Sequence, residues 1–440
     1  MKPVPLALDG LPPFAVPLRY FLTAPVFGVL AGALLLVEGE AAVATRWSPA
    51  MLALTHLLTL GWLAMVIVGA LYQVVPVLVG RALPRTTRIA PLVHGGLTLG
   101  TAALAAGFLF TSRTASILGM TALVVAFGIF LPALALRVLA RGRGGDAIFT
   151  LRFAVLSMLA TVSLGVAIAS GFAWPELGLA ARVWTDTHVR FGLLGFVFLL
   201  IAGVSFQVVP MFHVTPPFPP LLTRTLGPLV FLALLVRAIA SSPSVALSAN
   251  VLLALGCAAH AFALLAVLAR RRRRREDATV RAWQIAALAL LVATVTTLVI
   301  PSHDAILPAL LFLLGFASTV VLGMLAKVVP FLAFTHLQRR VLRTPAAIPL
   351  LPTMDGFISP RAAGAQLVVH LVAVLGAVVA AHEPRFVRLA GAALVLDFAV
   401  LEGLVLVAAL RYRRADAAIG RVIARPGGLD HAVAPVLPPE

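Results

Sequence analysis

Gly61-Trp-Leu-Ala-Met-Val-Ile-Val-Gly69-Ala-Leu-Tyr-Gln73-Val-Val-Pro76 has two counterparts further along the chain, Gly195-Phe-Val-Phe-Leu-Leu-Ile-Ala-Gly203-Val-Ser-Phe-Gln207-Val-Val-Pro210 and Gly315-Phe-Ala-Ser-Thr-Val-Val-Leu-Gly323-Met-Leu-Ala-Lys327-Val-Val-Pro330. Each copy has a glycine followed by an aromatic residue, a second glycine, a Gln or Lys, and Val-Val-Pro. The copies start 134 and then 120 residues apart. At about 100° per residue, the glycines, the Gln/Lys and the proline share roughly 120° of helix arc. That narrow face is small at two heights, polar at a third and kinked at a fourth. Close helix packing accounts for the small positions, because glycine lets backbones approach within a membrane. Gln73, Gln207 and Lys327 call for more, since a lysine within an apolar span is costly and marks a paired charge or a polar path. Asp397 and Glu402 are the acids placed well inside a span, and a buried Lys327–Glu402 pair is expected.

Working outward, each copy lies inside one of twelve apolar blocks. The spans fall near 20–41, 50–80, 89–111, 115–140, 148–172, 184–213, 220–242, 245–269, 280–301, 305–335, 362–383 and 386–410. About 20 apolar residues cross a bilayer as a helix. With 61% hydrophobic and 11% charged residues among 440, and a mean hydropathy of +1.06, the chain is too apolar for a soluble domain of this size. These Leu/Ala/Val runs lack the alternation of barrel strands, so the spans are helices. The fold expected is an all-α polytopic membrane protein of about twelve transmembrane helices in three repeated four-helix units. The units span 20–147, 148–278 and 279–410, between a cytoplasmic N-terminal segment, 1–19, and a cytoplasmic tail, 411–440.

The net charge of +18 suggests nucleic acid until its distribution is followed. With the N-terminus placed inside, 26 of the 34 basic residues lie in inner segments, seven lie in outer ones, and Lys327 lies within a span. This is the positive-inside asymmetry, and it predicts an inner-membrane protein with both termini cytoplasmic. The lipid bilayer is the partner it implies, with no nucleic acid needed. The Arg270–Arg275 run reads as a topology determinant. The lone cysteine, Cys257, excludes a disulfide framework and a thiolate cluster. No P-loop is present, and no cleavable signal peptide is evident.

Ten histidines remain. His56 lies about two turns into span two, and His188 sits at the matching depth in span six. His260 and His370 are within spans eight and eleven, and His94 is near the start of span three. His303 and His382 lie at the outer surface, His213 and His336 end spans six and ten, and His431 is in the tail. Neutral imidazole is a common ligand for haem iron and copper, and apolar helical bundles hold haem through axial histidines. His56 and His188 stand out because they occur near the same end of two repeat-related helices. By helix angle His188 falls on the Gly/Gln face and His56 points nearly opposite, which predicts that they serve different centres.

Twelve spans in three four-helix units, with histidines near the outer ends of spans two and six, resemble the catalytic subunit of the haem–copper oxidase superfamily. His56 followed by Gly61-Trp62, Val66-Ile67, Gly69 and Val75-Pro76 with Gly80-Arg81 is closer to the NnrS-type membrane proteins and to uncharacterised oxidase subunit I-like proteins. The resemblance implies that His56 is a haem b ligand and that His188 is the first copper ligand. The second axial ligand is open among His303, His370 and His260, with His303 also a candidate for copper. The chain departs from an oxidase in three ways. It has no histidine in 220–242, no His-x-His in 305–318 and no tyrosine in span six. Oxygen reduction to water is therefore not implied. What the resemblance implies is electron transfer with a cytochrome or cupredoxin donor, haem or copper handling, or nitric oxide chemistry. A secondary transporter of twelve spans and a cofactor-free assembly subunit are the competing readings. The parallel threefold repeat weighs against a transporter built from two six-helix halves.

Overall fold

The computed structural model describes residues 12–140, 145–174, 176, 181–272, 277–300, 306–342 and 344–424. Twelve long apolar helices account for nearly all of them: α1 Ala15–Glu38, α2 Pro49–Val79, α3 Thr86–Leu109, α4 Arg113–Val138, α5 Asp146–Ala173, α6 Val183–His213, α7 Pro220–Ile239, α8 Pro243–Ala269, α9 Ala278–Val299, α10 Ile306–Val341, α11 Pro360–His382 and α12 Pro384–Ile423. No strand occurs among the described residues. The chain is a multi-span helical membrane protein. Several helices begin with a serine cap followed by proline. Ser48, Ser242 and Ser359 each accept from a backbone N–H three residues on, with Pro49, Pro243 and Pro360 at the first helical position. That combination satisfies an N–H that the helix leaves free and places proline where it lacks only an unneeded donor.

All twelve helices stand where the apolar blocks placed them, and the largest departure is the end of α12. The sequence reading ended the span near residue 410 and left a tail; the helix instead runs on to Ile423. Its polar continuation is held from the side. Asp416 pairs with Arg340 near the end of α10, Tyr412 meets the edge of Phe14 at 4.9 Å, and Ile419 is fully buried.

Helices α2, α6 and α10 form the interior. In their most apolar windows 72%, 67% and 72% of residues are buried, against 22–56% in the other nine. Around them α4 packs on α5, α8 on α9, and α12 returns to α1, closing the bundle. The repeat glycines set these contacts. A Cβ on Gly61 or Gly69 would come within 2.3 Å of Phe27 or 2.5 Å of Tyr20 on α1. One on Gly195 or Gly203 would meet Ser157 at 2.6 Å or Leu151 at 2.5 Å on α5. One on Gly315 or Gly323 would meet Ala289 at 3.0 Å or Ala282 at 2.5 Å on α9. In every copy the glycine face seats the preceding helix, the close approach that association in lipid favours.

A second shared feature is not visible in the sequence pattern. Each core helix widens into a π-helical segment, at Leu57–Ala64, Phe191–Phe198 and Leu311–Ser318. All three run from four residues before the first repeat glycine to three after it. The π segment of α10 touches those of α2 and α6. Wide turns of this kind recur at functional sites because they displace side chains and loosen carbonyls from the regular ladder.

Candidate functional site

His56 stands immediately before the first of these π segments, and His188 three residues before the second. His56 Nδ1 lies 2.7 Å from the Leu52 carbonyl one turn back, and His188 Nδ1 lies 3.0 Å from the Thr161 carbonyl on α5. A carbonyl only accepts, so in the neutral ring Nδ1 carries the proton and Nε2 keeps its lone pair. Gly165 makes the second arrangement possible. Its absent Cβ would sit 3.0 Å from His188 Cε1, so the ring lies against α5 and reaches the carbonyl. The His56 ring leans on Phe108, with centroids 5.1 Å apart.

Both histidines line one cavity of ≈ 390 Å³. Its walls are mainly Leu, Val, Ala and Phe from α1–α6 and α10–α12. The two histidines, expected on different faces, thus open on one space. The helix-angle argument treated each helix alone, whereas α2 and α6 flank a common space. Residues on opposite flanks of a repeated helix can both face such a space, and the π segments shift the angles further. Arg46 and Trp47, between α1 and α2, also line the cavity, and Arg46 Nη2 meets Asp186 Oδ1 at 2.6 Å. Arg190 reaches the other oxygen of Asp186 at 3.8 Å.

The other candidate ligands lie elsewhere. His370 is fully buried between α10 and α12, and both its nitrogens are engaged. Nδ1 is 2.7 Å from Asp397 Oδ2, while Nε2 is 3.0 Å from Thr319 Oγ1 and 3.3 Å from the Leu314 carbonyl. Gln366 completes this network, donating from Nε2 to Asp397 Oδ1 at 2.7 Å. His260 is also fully buried and neither nitrogen has a partner. Its ring stacks on Phe218 at 7° and is flanked by Phe198 and Phe206. Neither His260 nor His370 lines the His56 cavity. His303 and His431 lie outside the described residues. Among the described residues, no three His, Cys or acidic side chains gather as a metal site.

The polar positions of the repeat are arranged differently from expectation. Lys327 pairs with Asp277, Nζ to Oδ2 at 2.7 Å, so the Lys327–Glu402 pair does not form. Asp277 caps α9, accepting from the Thr279 N–H at 2.9 Å, and Lys327 reaches back to it along the glycine face. Burial opposes the charge on Asp277, but the bonds from Lys327 and Thr279 outweigh it and draw its carboxyl down to about 2. Gln73 reaches the equivalent place in the first unit, donating from Nε2 to the Pro12 carbonyl ahead of α1 at 3.4 Å. Gln207, expected buried, is exposed. Glu402 is half-buried, and its Oε2 has no partner. Asp397, the other candidate for Lys327, belongs to His370. Sequence reasoning missed Asp277, Gly165 and Arg46. The first had a legible signal, an acid immediately ahead of the apolar run of α9.

No protein-family model and no curated protein matches the chain.

Proposed function

We propose that the chain is a haem b-binding redox protein of the membrane, with the cavity between α2 and α6 as its cofactor site. The observation that carries this is the shared orientation of His56 and His188. Each ring is fixed through Nδ1 by a backbone carbonyl, and Nε2 is left free on one apolar cavity. Holding one ring nitrogen this way is how proteins orient an imidazole toward iron. The site fits the group in its other parts too. The walls are apolar, and a Cβ on Gly192, one turn on from His188, would meet Thr161 at 3.3 Å. With His260 and His370 away from this cavity, His188 replaces them as the candidate second ligand; copper at His188 has less support. Bound haem would supply one-electron chemistry. The protein's own residues orient the two imidazoles through the Leu52 and Thr161 carbonyls and surround them with apolar side chains.

The three matching π segments, the glycine seats and the closed ring of helices support a threefold organisation of four-helix units, as in oxidase subunit I-like proteins. With both termini inside, the cavity lies toward the outer leaflet of the inner membrane, where a cytochrome or cupredoxin donor would dock. The test is a reduced-minus-oxidised spectrum and a pyridine haemochrome assay on protein purified in detergent. The expected result is near-stoichiometric haem b that is lost in His56→Ala and reduced in His188→Ala. Colourless protein despite haem supplied during expression would overturn the proposal.

A second reading, a twelve-span transporter, draws on the His370–Asp397 pair buried inside the bundle, since ionisable groups at such depth commonly lie on ion or substrate paths. It predicts saturable solute uptake by cofactor-free proteoliposomes.

A further inference from the structure

The loop between α2 and α3, the end of α4 and the start of α5 lie at the end of the bundle that the charge asymmetry assigns to the cytoplasm. Residues 80–88 and 137–152 contain seven arginines and a single acid, Asp146. Arg141 and Arg143 lie outside the described residues, which leaves Arg81, Arg85, Arg88, Arg137 and Arg152. Asp146 is turned toward α7, where it accepts from Thr223 Oγ1 at 2.6 Å and pairs with Arg224 at 3.5 Å. Among the described residues none of the five arginines pairs with a carboxylate. Other cations at this end have acids: Lys327 pairs with Asp277 and Arg340 with Asp416.

The fold draws these arginines together. Arg137 donates from Nε to the Ala82 carbonyl at 2.8 Å, tying the end of α4 to the α2–α3 loop. Arg152 donates from Nε to the Val138 carbonyl at 3.0 Å and from Nη2 to the Ala140 carbonyl at 2.9 Å, tying α5 to α4. Arg81 and Arg85 flank Ala82 in the loop and, like Arg88, are exposed. Arg85 has a φ of 49°, a left-handed conformation that side chains other than glycine seldom adopt and that clusters at binding sites. A guanidinium carries five N–H donors in a planar fork that matches phosphate oxygens, and Arg137 uses one of them on the loop carbonyl. The surface beside the arginines is apolar. Leu136 and Leu139 bracket Arg137 at 64% and 39% exposure, and Leu92, one turn beyond Arg88, is 63% exposed. A soluble phosphate would meet the arginines alone, whereas a lipid meets both the arginines and the leucines.

We propose that this surface binds an anionic phospholipid, with its phosphate on Arg81, Arg85 and Arg137 and its acyl chains along Leu92, Leu136 and Leu139. Basic clusters that abut a lipid-facing helix surface recognise headgroups in this way. The site stands independently of the haem reading, since none of these residues lines the histidine cavity. The experiment is native mass spectrometry of the delipidated full chain, titrated with phosphatidylglycerol and separately with phosphatidylcholine. Saturable binding of phosphatidylglycerol is expected, roughly tenfold tighter than that of phosphatidylcholine. Arg81→Gln/Arg85→Gln, which changes two exposed side chains, should weaken it roughly fivefold or more, and Arg137→Gln likewise. Arg413→Gln/Arg414→Gln removes two exposed cations from α12 at the same end and leaves the affinity unchanged. Equal binding of the two lipids, an equal loss in the α12 variant, or full affinity in Arg81→Gln/Arg85→Gln would each overturn the proposal. Complete displacement by glycerol phosphate at matched concentration would also overturn it, assigning the arginines to a soluble phosphate. Should Arg137→Gln fail to fold, the loop variant and the comparison of lipids still decide it.

Discussion

The indole N–H of Trp62 donates to Ser318 Oγ at 2.9 Å, tying the π segment of α2 to that of α10 in the centre of the bundle. Both residues are buried, and Trp62 also meets Phe398 of α12 edge-on at 5.0 Å. One side chain thus joins three helices where the wide turns meet.

Breaking this link has a bounded cost. A hydrogen bond between membrane helices is worth about 0.6 kcal/mol on average, while an orphaned buried partner costs about 1–3 kcal/mol. Trp62→Phe and Ser318→Ala should each lower stability, and the double variant should lose less than the sum. A double-mutant cycle by unfolding in mixed micelles measures the coupling, and strict additivity would show the bond to be energetically idle.

Lys327 and Asp277 are each more than two-thirds buried, with side-chain exposures of 30% and 27%. Removing one partner leaves the other without its counter-ion, at about 1–3 kcal/mol. Lys327→Met and Asp277→Asn are expected to destabilise singly, and the double variant to recover part of the loss. The pH dependence follows from the carboxyl held at about 2 against an ordinary value near ~3.9. A depressed acid stabilises the fold above its unfolded value and loses that contribution as pH falls through its folded value. The pair's contribution should therefore be intact at pH 5 and fade between about 4 and 2. Without Lys327 the fade should begin at higher pH. Melting curves from pH 2 to 6 check both, and identical acid profiles for wild type and Lys327→Met would refute the link.

Twelve spans were legible because bilayer crossing demands long apolar runs, and the triple Gly/Pro motif showed which helices are alike. The partners were not legible. Lys327 was matched to Glu402 because both lie in spans, yet the geometry selected Asp277, which lies just outside one. The glycine face points Lys327 toward the start of the preceding helix, and only the packing of α10 on α9 discloses that. His56 and His188 stand on different faces of a regular helical wheel, yet both open on one cavity. A regular 3.6-residue wheel contains neither the π segments nor the cavity shared by α2 and α6. The α12 extension was missed because its support comes from Arg340 and Phe14, remote in sequence.

Gly165 provides a test of the histidine cavity that leaves both histidines in place. A Cβ there would lie 3.0 Å from His188 Cε1 and 3.5 Å from Nδ1, and valine would push the ring off the Thr161 carbonyl. Gly165→Val is expected to lower haem content much as His188→Ala does, with helical content unchanged by circular dichroism. Gly165→Ala, with one added carbon, should give a smaller loss. Full haem in Gly165→Val would remove His188 from the cofactor site.

The His370 network distinguishes a polar fit from a requirement for charge. Asp397 takes two bonds, one from Gln366 Nε2 and one with His370 Nδ1. Asparagine reproduces both, because its oxygen accepts from Gln366 and its amide donates to an unprotonated Nδ1. His370 then carries its proton on Nε2 and donates to the Leu314 carbonyl, the acceptor already 3.3 Å away. Asp397→Asn should therefore cost under about 1 kcal/mol, close to one ordinary hydrogen bond. Asp397→Leu leaves His370 Nδ1 without a partner in a fully buried site, while the Gln366 amide keeps only the Asp397 backbone carbonyl at 3.0 Å; one orphaned group costs about 1–3 kcal/mol. Unfolding measurements on the two variants in the same detergent separate these cases. Equal losses would mean that the carboxylate charge, not the hydrogen-bond pattern, holds α11 and α12 to the π segment of α10.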